Sequence, residues 1–243
     1  MNAPEGSEAV SVIISCRGVQ KIYRQGAVEV PALRGVDLDI AAGDFATLSG
    51  PSGSGKTTLL SLMGGLDRPT AGEIKVDGQR LGGLDNNHLA DLRLRKIGFV
   101  FQTYSLIPVL SAAENVEFIL RLLGTSREER EARAREVLAQ VGLAGLEARR
   151  PSRLSGGQQQ RVAVARALAT RPAIVLADEP TANLDSKTAE DLIALMADLN
   201  TASGITFLIA THDARVIAHS RRRIEMVDGR ITADEGQGAP VAA

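Results

Sequence analysis

Short apolar segments rich in β-branched and aromatic residues recur along the chain, at positions 12–15, 36–40, 45–49, 97–101, 174–177, 206–210 and 224–227. Several are separated by stretches of helical period. That alternation predicts an α/β fold built on a largely parallel sheet. The segments between 12 and 49 follow one another with no helix between them, so an antiparallel β subdomain is expected at the edge. From Ser111 to about Thr170 the pattern changes, and almost everything reads as helix. Ser111 with Glu114, Ser126 with Glu129, and Ser155 with Gln158 each have the Ser-x-x-Glu/Gln spacing that satisfies free N–H groups at a helix start. Charge alternates from Arg127 to Glu136, with Glu129/Arg133 and Glu131/Arg135 expected to pair along a solvated face. The outline is one domain over 11–233, its sheet core interrupted by a helical insertion at about 103–170. The small, polar residues 1–10 and 234–243 read as loose tails.

Composition removes several alternatives. At 243 residues the chain is ample for a buried core. Its 28 Lys and Arg balance 29 Asp and Glu for a net charge of −1, which gives no electrostatic reason to expect nucleic acid as a partner. A single cysteine, Cys16, rules out an intramolecular disulfide, and three histidines argue against a structural zinc site. The apolar runs fall far short of the roughly 18 residues of a membrane span. The first residues lack the charge and apolar block of a secretory signal. A cytosolic protein is expected, whose membrane role, if any, runs through a partner.

Three stretches carry candidate chemistry. Gly50-Pro51-Ser52-Gly53-Ser54-Gly55-Lys56-Thr57, followed by Thr58, fits G-x-x-x-x-G-K-[ST] between a predicted strand and a predicted helix. Glycines there let backbone N–H groups close around phosphate oxygens. Lys56 is placed for the β- and γ-phosphates and Thr57 for Mg²⁺. The apolar run 173–177 ends in Asp178 and Glu179. Asp178 could hold Mg²⁺ and Glu179 could orient an attacking water, although two acids at a strand end could instead cap the next helix. Leu154-Ser155-Gly156-Gly157-Gln158 opens a helix with two glycines, leaving approachable N–H groups at a second anion-binding helix start.

Taken in this order, the phosphate loop, the LSGGQ pentapeptide and the Asp178-Glu179 strand resemble the nucleotide-binding subunit of ATP-binding cassette (ABC) transporters, from about Val12 to Ile231. The resemblance implies a P-loop NTPase core, ATP with Mg²⁺, and a head-to-tail homodimer. In such a dimer Ser155, Gly156, Gly157 and Gln158 of one copy close on the ATP held by the other. It also implies that Gln102 touches Mg²⁺ and the water, and that His212 contacts the γ-phosphate. Asp185, in Asn183-Leu184-Asp185, lies in the loop joining the two sites, and Tyr23 stacks on adenine. His88, His219 and Cys16 match nothing and read as structural, and Arg221-Arg222-Arg223 as a solvated strand edge.

The stretches 64–72, 97–102 and 179–185 are similar to the bacterial group serving lipoprotein release and MacB-type efflux, apart from Ala182, where that group often has glycine. The function so implied is an ATPase, peripheral on the inner face of the cell membrane, that powers a separate permease for export or extraction. The stretch from Gln102 to Leu110 is polar and then apolar, and its side chains Leu106, Ile107, Val109 and Leu110 should be covered either by the helical insertion or by a partner. The resemblance favours the partner and makes the stretch the expected docking surface for the permease. The same machinery serves non-transport systems, such as a cell-division regulator acting through a membrane partner or an iron–sulfur assembly ATPase. An ATP-binding regulator without turnover is a third reading, opposed by the intact Glu179 and His212.

Overall fold

The computed structural model describes residues 11–26 and 28–236. Two long strands open it, β1 (Val12–Gln25) and β2 (Val28–Ala41), then β3 (Phe45–Ser49) and α1 (Lys56–Met63). Next come β4 (Ala71–Val76), β5 (Gln79–Arg80), α2 (Asn86–Lys96) and β6 (Ile97–Val100). Three helices follow, α3 (Ala112–Leu122), α4 (Arg127–Gln140) and α5 (Gly156–Leu168). The chain then runs through β7 (Ile174–Asp178), α6 (Ser186–Ser203), β8 (Thr206–Thr211), α7 (Ala214–His219), β9 (Arg222–Val227) and β10 (Arg230–Gly236). Among the described residues, no helix is long and apolar enough to cross a membrane.

The strands form an antiparallel sheet, β2-β1-β4-β5, and a six-stranded sheet, β10-β9-β3-β8-β7-β6, parallel except at β10/β9. The expected antiparallel subdomain is therefore present, but β3 is not part of it. All five residues of β3 are buried. A strand with no solvated face belongs inside a sheet covered on both sides, and β3 sits between β9 and β8.

Alternate residues of the central strands feed two separate cores. Val175, Ala177, Phe207 and Ile209 pack under α3–α6, with Phe45 edge-on to Phe207 at 5.7 Å between ring centres. Ile174, Leu176, Leu208 and Ala210 pack on the other face with α1, α2 and the antiparallel sheet.

All three serine capping boxes form, at Ser111, Ser126 and Ser155. The insertion is less helical than its sequence suggests, since residues 141–155 form a loop with one 3₁₀ turn at Pro151–Arg153. Gly142 and Gly145 turn there with positive φ, and the carbonyls of Glu147 and Arg149 accept from Ala113 and Ala112 at the start of α3.

The charged face of α4 pairs differently from expectation. Glu129 serves the capping box, and Glu131 pairs with Arg127. Arg133 turns inward to the carbonyls of Leu168 and Ala169, closing the end of α5. Two further expectations change at the C-terminal end. Arg222 does not lie on a solvated edge but reaches between Asp44 and Asp234, at 2.7 Å from each. Residues 234–236, expected in the tail, are strand; the rest of that tail and the one at 1–10 lie outside the described residues.

Register places the chemistry. Ser49 is beside Thr211 and Asp178 beside Ala210, so β3, β8 and β7 end together and the loops after them meet at one sheet edge.

Candidate functional site

The loop 50–55 folds as it does because other backbone stands behind it. Gly50 has φ 145°, and a Cβ there would lie 2.0 Å from the Met226 carbonyl oxygen. Gly55 has φ 103°, and its Cβ would lie 2.7 Å from the Ala32 carbonyl oxygen. Only glycine fits either place. Gly55 then begins α1 without any side-chain cap, so the first helical N–H groups face the loop's mouth. Pro51, Ser52 and Gly53 are exposed, Ser54 is buried and Thr58 half-buried. The Lys56 ammonium donates to the carbonyls of Gly50 (2.8 Å) and Pro51 (3.0 Å), which keeps the cation folded over the loop.

Thr57 donates its hydroxyl to the Asp178 carboxylate at 3.2 Å, joining the loop to the end of β7. Burial raises the Asp178 pKa above its ordinary value; the Thr57 bond lowers it and the Glu179 charge raises it, both to a lesser degree.

Glu179 follows in the left-handed region, φ 46°, which is strained for a non-glycine residue. Its N–H donates to the Ala210 carbonyl at 2.9 Å, and Thr211 Oγ1 donates to its carboxylate at 3.3 Å. His212 Nδ1 lies 2.7 Å from Glu179 Oε1. The carboxylate is 18% exposed and the imidazole 73%, so the acid sits behind an open histidine. Lys56, Thr57, Asp178, Glu179 and His212 thus occupy one continuous edge.

Gln102 is exposed just past β6, and its carbonyl accepts from the Asn183 amide at 3.0 Å. Ser155 caps α5 through its box with Gln158. The two glycines have a second reason to be small besides leaving N–H groups accessible. A Cβ on Gly156 would lie 2.7 Å from the Tyr104 hydroxyl, and one on Gly157 would lie 2.3 Å from Thr188 Cγ2. Thr188 is held there by Asp185, which caps α6 and accepts the threonine hydroxyl at 2.6 Å. Those hydrogen bonds hold the Asp185 carboxyl below the usual range. Within one chain, then, the nearest neighbours of the α5 start come from the Asn183–Asp185 region and Tyr104 rather than from the loop at 50–57.

Tyr23, on β1, is 39% exposed, donates to Asp67 at 3.1 Å and carries the Lys21 ammonium 4.9 Å from its ring centre. The apolar stretch after Gln102 divides. Leu106 packs on the core under α3–α6, and Val109 is 69% exposed. Ile107 lines a cleft of about 760 Å³ that also takes in Leu66, Phe99, Phe101, Phe118 and Leu122. Phe118 and Leu122 were not singled out in the sequence, although they are four apart on α3 and both are exposed. Nor was Gln160, which is fully buried.

The family described as ABC transporter matches residues 33–182. The lipoprotein-releasing system ATP-binding protein LolD of Chromohalobacter salexigens is 47% identical over 223 residues, covering 92% of this chain and 94% of its own. The macrolide export ATP-binding/permease protein MacB of Syntrophobacter fumaroxidans is 46% identical over 226 residues, which is 92% of this chain but 32% of that longer protein. Among solved structures, the dimeric bacterial ABC transporter cassette MJ0796 superposes with a TM-score of 0.85 at 45% identity, covering 92% of this chain and 98% of that one. A dimeric post-hydrolysis state of the same cassette bound to ADP and Pi gives 0.84 at 44% identity, with the same coverage.

Proposed function

The chain belongs to the ABC transporter family, and we propose that it is the ATP-hydrolysing subunit that powers a separate membrane permease of the lipoprotein-releasing or MacB-type group. One observation carries the chemistry: the contacts Thr57–Asp178 and Glu179–His212 join the phosphate loop, the strand-end acids and the histidine into one edge. The backbone N–H groups of 50–55, Lys56, Thr57 and Thr58 bind the phosphates, and Tyr23 takes the adenine. Thr57, Asp178 and Gln102 hold Mg²⁺; a hydroxyl, a carboxylate and an amide are the oxygen donors a hard cation accepts alongside water and phosphate. When bound, the ion neutralises charge on the β- and γ-phosphates.

Glu179 orients the attacking water and draws on its proton, while His212 fixes the carboxylate and meets the γ-phosphate. Two copies close head-to-tail, each giving Ser155, Gly156, Gly157 and Gln158 to the partner's nucleotide, with Asp185 between the sites. The intrachain surroundings of α5 support this, since its start lies against Tyr104 and Thr188 and not against its own phosphate loop. The chain works from the cytoplasmic face, bound to the permease.

The permease seat is the cleft beside Ile107, Phe118 and Leu122, bordered by the stretch from Gln102 to Leu110. It lies between the sheet and the helical insertion, so a partner lodged there feels any movement of one against the other. Leu106 belongs to the core and Tyr104 to the α5 start, so neither is a clean probe of docking. Phe118→Asp with Leu122→Asp is the better pair, both side chains being exposed. Co-purification with the permease should drop at least about tenfold, while ATP affinity of the isolated subunit stays within about threefold, under 1 kcal/mol. Undiminished co-purification refutes this seat.

A further inference from the structure

Gln160 lies on α5, five residues past Ser155, with none of its surface exposed. Its Nε2 donates to two carbonyls, Pro180 at 2.8 Å and Phe101 at 3.2 Å. Phe101 immediately precedes Gln102, and Pro180 immediately follows Glu179. Its Oε1 is buried with no hydrogen-bond partner among the described residues. The amide orientation is settled by the two acceptors, because a flipped amide would set oxygen against both.

A core selected only for cohesion would place leucine or methionine here. A buried amide whose oxygen is left unsatisfied costs stability, so its presence calls for a reason in its donors. Two neighbouring contacts point the same way. The Arg166 guanidinium, also on α5, donates to the carbonyls of Tyr104 and Ser105, and Asn183 donates to that of Gln102. The segment 101–105 is therefore held by its carbonyls, mostly from the helix that begins at Ser155.

We propose that Gln160 is a positioning residue for hydrolysis: one amide nitrogen ties the carbonyl of Phe101, just before Gln102, to the carbonyl of Pro180, the residue after Glu179, so that α5 sets both side chains that flank the attacking water. In the head-to-tail dimer α5 also meets the partner's nucleotide, and Gln160 thereby links closure on one ATP to the alignment of the other site. The inference rests on the roles proposed above for Gln102 and Glu179.

The test is steady-state phosphate release by the full chain carrying Gln160→Met, which keeps volume and removes both donors. kcat should fall at least about tenfold, with KM and ATP affinity within about threefold, the pattern of a lost transition-state arrangement rather than lost binding. A folded variant with kcat within about twofold of wild type overturns the proposal. If Gln160→Met does not fold, Gln160→Glu decides. Burial raises the pKa of such a glutamic acid, and its protonated form regains one donor. Its kcat relative to wild type should then rise as pH falls, and a flat ratio, or failure of both variants to fold, overturns the proposal. Turnover lost in Glu179→Gln but normal in Gln160→Met sinks this inference alone; normal turnover in Glu179→Gln sinks the reading beneath it.

Discussion

Glu179→Gln isolates the charge from the shape of the site. The side chain keeps its length, and its backbone stays in the same left-handed turn, held by the 2.9 Å bond from its N–H to the Ala210 carbonyl. The amide oxygen can replace one carboxylate oxygen, and the amide NH₂ can face either the Thr211 hydroxyl or His212 Nδ1, now 3.3 and 2.7 Å from the acid. Folding and nucleotide binding are therefore expected to survive. What goes is the single negative charge on which an attacking water would be oriented and partly deprotonated. Removing a group of that kind costs roughly a hundredfold to ten-thousandfold in rate, or about 2.7 to 5.4 kcal/mol of barrier.

The assay is phosphate release at saturating Mg-ATP, with nucleotide affinity measured on the same preparation. If ATP fills the interface and is no longer consumed, light scattering should show a monomer without nucleotide and a dimer with Mg-ATP. A kcat within a few-fold of wild type removes Glu179 from this role. A monomer under both conditions, with turnover lost, refutes the composite site while leaving the acid in place.

Two further outcomes test other parts of the site. Adding Ser155→Arg to Glu179→Gln places a bulky cation at the start of α5 and should abolish the ATP-driven dimer while the monomer still binds ATP; loss of the cap itself costs about 1 kcal/mol, and a persisting dimer refutes the contact. Asp178→Asn should raise the nucleotide-free thermal midpoint near pH 7. The raised folded-state pKa means that the carboxyl ionises against resistance as pH climbs from its ordinary 3.8 through the raised value, so the penalty is absent below that window and complete above it. The gain should shrink toward pH 4, and a variant no more stable than wild type at pH 7 refutes the burial argument.

Much of the architecture can be read from periodicity alone, for a reason visible in β7 and β8. Ile174 and Leu176 enter one core, Val175 and Ala177 the other, so a strand buried on both faces shows as an unbroken apolar run. The capping boxes are equally local, since a serine and a glutamate or glutamine three apart contain the whole interaction. What stays hidden depends on contacts distant in sequence. β3 leaves its neighbours for the central sheet because of strands some 160 residues later, paired at Phe45 with Phe207. Arg133 leaves its expected partner Glu129 for Glu136 and for the carbonyls at 168 and 169. In the site, Gly50, Lys56, Asp178 and Glu179 carry local signals, but Gln160 does not. A glutamine beside two others in a helix looks solvated, and only the approach of Phe101 and Pro180 gives its amide a purpose.

The chain contains no tryptophan and two tyrosines, so its tyrosine emission, distinct from the weaker and shorter-wavelength emission of its five phenylalanines, comes from two rings alone. Both stand where the action is placed. Tyr23 lies beneath the Lys21 ammonium, at the position assigned to adenine, and Tyr104 has its hydroxyl against the first glycine of α5. In the proposed assembly, one would report on the nucleotide's base and the other on the helix offered to the second copy. With either replaced by phenylalanine, the remaining ring is a single intrinsic reporter, and no label need be attached. The two single-tyrosine variants would then read loading and closure separately.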